Sequence, residues 1–242
     1  MMKTYLQSIV NHVVSFVFPA ACAVCGRGLS ADDRIGVCGE CLDNIELIKG
    51  YFCVKCGKAL PDGGEYCYTC AQNRSYHFEF IRSAGEYKGN LRKLLHRFKY
   101  LDRDYYVRIF DILIRSVLNR EKILNEADCI VPVPLHWIKR LMRGYNQSEL
   151  LALGAAKYCG KPVLKNVLVR RKMTKSQFHL GKEERKKNLE NAFRVVNSSE
   201  IKGKKVILID DIATTCETIE HCSRELRNAG AKKVYAVTVA KD

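Results

Sequence analysis

Eight cysteines lie between positions 22 and 70 as four Cys-x-x-Cys pairs: Cys22/Cys25, Cys38/Cys41, Cys53/Cys56 and Cys67/Cys70. Such a knuckle turns the backbone so that two thiolates converge on one ion, and glycine follows Cys25, Cys38 and Cys56, where it relieves the tight turn. Two knuckles fill a tetrahedral site, so four knuckles predict two structural Zn²⁺ ions with no position left for water or substrate. The spacing admits two pairings. Sequential pairing puts Cys22, Cys25, Cys38 and Cys41 on one ion and Cys53, Cys56, Cys67 and Cys70 on the other, closing the shorter loops; cross-braced pairing joins alternate knuckles. A segment this short, with few large apolar side chains, cannot hold itself together by burial, so metal supplies its folding energy. The first expectation is that a strong chelator melts residues 20–72 and leaves the rest folded.

A disulfide framework would need an export signal. The N-terminus offers only Lys3 before an apolar stretch broken by Asn11, His12 and Ser15, and Pro19 spoils a lipoprotein-like cleavage site ahead of Cys22. Regular Cys-x-x-Cys pairs in a reducing compartment are metal sites, which also predicts a cytoplasmic protein. The same polar interruptions argue against a membrane span. Tyr5, Leu6, Ile9, Val13, Phe16 and Val17 share one helical face, so residues 1–19 are expected to form an amphipathic helix packed on the protein's own body.

The remaining cysteines, Cys129, Cys159, Cys216 and Cys222, are scattered singly through a chain of 242 residues. A 47% hydrophobic and 28% charged composition excludes wholesale disorder. The formal charge of +15 favours polyanions: phosphates, nucleic acid or acidic lipid. Charge alone does not choose among them.

After Cys70 the pattern changes to alternating elements. Strands are expected at Phe80–Tyr87, Asp128–Val133, Val163–Val169, Val206–Ile209 and Val234–Val239. Helices are expected from Gly89 to Phe98, Asp104 to Leu118, Asn146 or Ser148 to Tyr158, and Thr218 to Ala229. Buried apolar strands alternating with helices predict an α/β domain over residues 78–242, a parallel sheet with helices on both faces, behind a small Cys-rich module at 20–72. In such sheets ligands bind at the carboxyl ends of strands. That rule points to the stretch from Val206 through Asp210 and Asp211 to Thr218. A buried strand delivers two carboxylates to the sheet edge, and the turn offers backbone N–H groups and threonine hydroxyls at a helix start. A sugar phosphate suits this set. So, equally, does a plain strand end with capping threonines and a solvated acidic pair.

The stretch resembles the phosphoribosyl pyrophosphate signature of the type I phosphoribosyltransferases: four apolar residues, two acids, then a Thr-Thr-Gly-x-Thr-like turn. Pro132-Val133-Pro134-Leu135 and Arg143-Gly144-Tyr145-Asn146-Gln147 with Leu150 and Leu151 resemble segments of the ComF family. So do Tyr87-Lys88-Gly89 with Phe98-Lys99-Tyr100, and Gln177, Leu180, Arg185 and Asn188 with Ala192-Phe193. A double zinc ribbon ahead of a type I phosphoribosyltransferase-like domain is that family's architecture. The resemblance implies that Asp210 and Asp211 engage ribose hydroxyls and that Ala213, Thr214, Thr215, Cys216, Glu217 and Thr218 hold the 5′-phosphate. It implies that Arg140 and Arg143 face the pyrophosphate, with Mg²⁺ offsetting its charge, and that a basic flap spans Arg170 to Asn188. It also implies a role in natural transformation, with single-stranded DNA and the competence machinery as partners. A working phosphoribosyltransferase with an unidentified acceptor, or a degenerate scaffold, are the competing functions.

Two positions depart from the pattern. The family glycine is Cys216, for which a left-handed conformation costs about 1–2 kcal/mol. Glu217 follows it, and a carboxylate about 5 Å from a phosphate at an effective dielectric of about 20 would repel it by roughly 3 kcal/mol. Basic and aromatic residues interleave at Arg92, Lys93, Arg97, Phe98, Lys99 and Tyr100, and again at Trp137, Lys139 and Arg140, as polyanion contacts require. Core packing is the alternative for Phe98 and Trp137.

Overall fold

The computed structural model describes residues 21–29, 35–72, 75–99, 103–172 and 191–242. The expected helix at 1–19 and nearly all of the basic flap lie outside them. In chain order the helices are α1 (Gly39–Asp43), α2 (Tyr68–Gln72), α3 (Gly89–Phe98), α4 (Arg103–Arg120), α5 (Trp137–Arg143), α6 (Gln147–Cys159) and α7 (Glu217–Asn228). The strands are β1 (Ile81–Glu86), β2 (Cys129–Pro132), β3 (Leu168–Arg170), β4 (Phe193–Val195), β5 (Lys205–Ala213) and β6 (Lys233–Lys241).

Four strands form one parallel sheet in the order β1-β6-β5-β2. The β-branched run at the start of β5 explains its central place. Side chains alternate across a strand, and here both faces are covered. Ile207 and Ile209 join a core with Leu91 of α3, Phe110 of α4 and Leu151 of α6. Val206 and Leu208 face the other way, toward Ile219 and Leu226 of α7. Separately, β3 and β4 pair antiparallel. Among the described residues no helix is long and apolar enough to cross a membrane.

Three local expectations change. The strand expected at Val163–Val169 is broken by a turn at Lys165 and Asn166, leaving a single bridge from Val163 to Ile130 and the short β3. Strand β5 runs past Ile209 through both aspartates to Ala213, because β6 continues beside it, pairing Asp210 with Thr238 and Ala213 with Lys241. Helix α5 had no sequence signal: none of its residues is buried, so it carries no apolar stripe.

The Cys-rich segment is not a separate body. It covers the outer edge of β1, which would otherwise present unpaired backbone groups. Ile81 N–H donates to the Lys55 carbonyl (2.8 Å), Ile48 N–H to Ala84 (3.0 Å) and Glu86 N–H to Glu46 (2.9 Å). The approach is close enough to require glycine: a Cβ on Gly57, itself at φ +73°, would lie 2.6 Å from the Ile81 carbonyl oxygen. Cys22, Cys38 and Cys41 belong to the first core and Cys53, Cys56 and Cys70 to the second. The expectation that the remainder stays untouched when zinc is lost is therefore replaced by one of shared stability.

Candidate functional site

At the carboxyl end of the sheet, the end of β5 opens into a cleft of about 450 Å³. Asp210 is buried there. Its Oδ1 accepts from Ser148 Oγ at 2.8 Å and from the Asp211 N–H at 2.9 Å. Burial, and then the neighbouring Asp211 charge, push the Asp210 carboxyl up to about 7. Asp211 lies 3.3 Å from the Lys99 ammonium, both side chains mostly shielded. Burial pulls the Lys99 pKa down, but the Asp211 carboxylate outweighs it and the net shift is upward.

The Asp210 shift carries a sign. A carboxyl raised in the folded state contributes stability that is present below its unfolded pKa and lost as pH rises through about 7. A ligand that needs the ionised form should behave oppositely. Its affinity is expected to weaken by up to about tenfold per pH unit below 7, read from binding isotherms between pH 6 and 8.

Beyond the acids, the turn Ala213–Cys216 leads into α7. Cys216 takes φ 66°, ψ 0°, the left-handed conformation that glycine would adopt freely. It is the residue flanking α7 at its N-terminus, and its side chain makes no capping hydrogen bond there. The first-turn N–H groups, the positive end of the helix dipole, therefore face the cleft beside Thr214 and Thr218. Lys241 steadies the turn from β6, donating to the Thr214 carbonyl at 2.7 Å. Thr215 is not in the cleft wall. Glu217 is, but its carboxylate is turned along the helix toward His221 Nε2, at 3.9 Å.

Among the described residues five cations line the same cleft: Lys99, paired with Asp211, and with it Arg92, Lys139, Arg143 and Arg170. Their crowding is visible in Lys139, whose pKa is pulled down by burial and then by Arg170, Arg143 and Lys99. Such a gathering of cations beside a helix start suits an anionic ligand. Arg143 donates to Gln147 Oε1 (3.4 Å), while the buried Gln147 Nε2 on the cleft wall has no partner among the described residues. Asn146 fixes the approach of this segment, donating to the Val133 carbonyl at 3.0 Å and accepting from the Ser148 N–H. Arg140 is elsewhere: it pairs with Glu149 at 3.3 Å outside the cleft, and Lys139 occupies the place expected for it.

Lys99, Ser148 and Lys241 were not anticipated as site residues. Lys99 sits in a motif that reads as polyanion contact, whereas its partner is an aspartate. Phe98 is fully buried, and Trp137 is 65% exposed, so core packing holds for the first and not for the second.

The cysteines gather as Cys22, Cys25, Cys38 and Cys41, and as Cys53, Cys56, Cys67 and Cys70, the sulfurs of each set lying within 4.8 Å of one another. That is the sequential pairing. The Cys25–Cys38 and Cys56–Cys67 sulfur distances are 3.8 and 3.6 Å, close to the edge of about 3.8 Å of a tetrahedron with Zn–S of 2.3 Å. The residues fit zinc in both sites.

Comparison with known proteins agrees with this geometry. Residues 13–71 match the double zinc ribbon domain family and residues 163–242 the phosphoribosyl transferase domain family. Competence protein F of Haemophilus influenzae is 30% identical over 230 residues, 93% of this chain and 98% of that protein. DNA utilization protein YhgH of Salmonella typhimurium is 29% identical over 219 residues, covering 89% and 94%. Competence protein ComFC of Bacillus subtilis is 25% identical over 219 residues, covering 88% and 86%.

Proposed function

The chain belongs to the ComF family, and from that premise we propose that its cleft binds 5-phosphoribosyl 1-pyrophosphate and that the protein acts in the cytoplasm on single-stranded DNA during natural transformation. One observation carries the ligand reading: an acidic pair, a helix start and a group of cations meet in one cleft. Asp210 and Asp211 would accept from the ribose 2- and 3-hydroxyls. The N–H groups at the start of α7, with Thr214 and Thr218, would hold the 5′-phosphate. Lys139, Arg143 and Arg170 would hold the pyrophosphate and offset the charge that builds on it as it leaves. Magnesium would add charge neutralisation there; it fits as an ion carried on pyrophosphate oxygens and water, since both aspartates already have protein partners. Labelled phosphoribosyl pyrophosphate should be displaced both by ribose 5-phosphate and by inorganic pyrophosphate; displacement by neither sinks the assignment.

The retained geometry at Cys216 favours a second reading, a working phosphoribosyltransferase with an unidentified acceptor. The backbone has taken the turn that glycine would make, so the substitution does not close the cradle.

The DNA reading draws on the relatives' names and on α5, where exposed Trp137 stands beside Lys139, Arg140 and Arg143. Bases stack on such a ring while phosphates meet the cations. Trp137 is the only tryptophan of the chain, so quenching of its fluorescence by an oligothymidylate reports binding directly. Trp137→Ala should leave stability within about 0.5 kcal/mol, because the ring is exposed. It should weaken single-strand binding by about 1–3 kcal/mol, read by anisotropy of a labelled strand. A salt-independent or absent response removes this part of the proposal.

A further inference from the structure

Gln147 opens α6 with only 4% of its surface exposed, yet one arm of its amide is unpaired. Arg143 decides which arm. A guanidinium only donates, so the amide oxygen faces it, and Oε1 accepts from Arg143 at 3.4 Å. That leaves Nε2 as a buried donor with no partner among the described residues. Such donors are rare in folded proteins, because water no longer satisfies them. Gln147 is also part of the cleft wall. Its backbone is well fixed there: Asn146 before it donates to the Val133 carbonyl, and Ser148 after it donates to Asp210. The residue thus touches Arg143 and stands one position from the serine that holds the first acid.

We propose that Gln147 is a specificity residue of the cleft: its Nε2 donates to a pyrophosphate oxygen beside Arg143 and distinguishes that end of the ligand from the ribose phosphate. The inference rests on the phosphoribosyl pyrophosphate reading and assigns one end of that ligand to a residue outside the acidic strand and the phosphate turn. Three features choose the acceptor. Nε2 needs an oxygen lone pair, which a cation or a second donor does not offer. The amide's own partner is Arg143, so an anion held by that guanidinium lies next to the amide as well. Lys139 and Arg170 line the cleft with them, whereas the N–H groups suited to the 5′-phosphate belong to α7. The last torsion of a glutamine is soft, so a small turn of the amide plane aims Nε2 at a ligand oxygen. An amide carries no charge. It therefore adds a directed hydrogen bond where one more cation would add repulsion to Lys139, Arg143 and Arg170. An unmet buried donor costs the ligand-free protein stability, and the bound oxygen removes that cost.

The test titrates the reduced, zinc-loaded full chain with two separate probes, inorganic pyrophosphate and ribose 5-phosphate. Gln147→Glu keeps an acceptor for Arg143 but replaces the donor by a second acceptor. Gln147→Met removes both at similar volume. Each variant should weaken pyrophosphate by at least about tenfold, the effect of one hydrogen bond to a charged group. Ribose 5-phosphate should stay within about twofold, since the contacts assigned to it share no partner with Gln147. Gln147→Met should also melt no lower than wild type, because an unpaired buried donor has gone; a residue that served packing alone would melt lower. Pyrophosphate affinity unchanged in either variant, both probes weakened alike, or a lower midpoint for Gln147→Met overturns the proposal. A wild type that takes pyrophosphate but not ribose 5-phosphate, with pyrophosphate lost in both variants, upholds the Gln147 donor and overturns the sugar-phosphate reading. A wild type that takes both probes, with unchanged variants, does the reverse. Binding of neither probe to the wild type overturns both.

Discussion

Stripping both zinc ions under reducing conditions is expected to unfold residues 21–72 and to lower the melting midpoint of the parallel sheet in the same transition. A structural zinc site contributes roughly 10–16 kcal/mol of apparent binding energy to the fold it closes, comparable to a domain's whole net stability of about 5–15 kcal/mol. Three consequences follow from its loss. The β1 edge loses the backbone partners supplied by Glu46, Lys55 and Ala84's contact with Ile48. Both cores lose members, Cys22, Cys38 and Cys41 from one and Cys53, Cys56 and Cys70 from the other. Arg82, buried and donating to the Val54 carbonyl at 2.9 Å, loses that acceptor. Far-ultraviolet circular dichroism during thermal scans, with zinc counted by atomic absorption, reads the result. A sheet that melts at an unchanged temperature after both ions are gone would show that the segment is only an appendage.

Asp211→Asn is expected to weaken phosphoribosyl pyrophosphate binding strongly and also to destabilise the protein. Hydrogen bonds to a charged acceptor contribute about 1.5–3 kcal/mol each, so losing the carboxylate costs on the order of a hundredfold in affinity. The destabilisation comes from Lys99, left mostly shielded without its partner; removing one side of a buried pair costs about 3–5 kcal/mol, less here because some solvent reaches both groups. Lys99→Met/Asp211→Asn separates the two effects, recovering stability and not binding. Asp210→Asn differs in kind. Its carboxyl titrates near 7 and the amide oxygen still accepts from Ser148. This variant should fold well, lose affinity and lose the pH dependence of stability between about 4 and 7. Differential scanning fluorimetry and a binding isotherm on the three variants suffice. Equal loss of stability in Asp210→Asn and Asp211→Asn would contradict the assigned partners.

What was legible in the sequence was local. Zinc ligands announce themselves because each knuckle closes over two intervening residues, and the structure had only to choose sequential pairing. The apolar run ending in Asp210 and Asp211 marked the strand end, since the carboxyl edge of a parallel sheet is where such loops lie. The illegible residues arrive from distant elements. Lys99 comes from the end of α3, Ser148 from α6 and Lys241 from β6, and only the crossover topology brings the first two to the cleft and the third to the turn behind it. Arg140 and Lys139 exchange roles because neighbouring residues on a helix point about 100° apart, and α5, with no buried stripe, gave no phase to read. Phe98 and Trp137 sit in similar basic-aromatic contexts, yet one is core and the other surface. Cys216 departs from the family pattern in the sequence; that it still takes the left-handed turn of glycine is visible only in the fold.

The excess positive charge thus acquires an address. Arg92, Lys99, Lys139, Arg143 and Arg170 gather part of the chain's basic charge in the cleft that also holds Asp210 and Asp211. Isothermal titration of the reduced, zinc-replete wild type with phosphoribosyl pyrophosphate and magnesium at pH 8 tests that assignment most directly. A saturable heat near one ligand per chain, weakening toward pH 6 as Asp210 takes up its proton, is the predicted result. No heat at pH 8 from a folded protein carrying both zinc ions would contradict it.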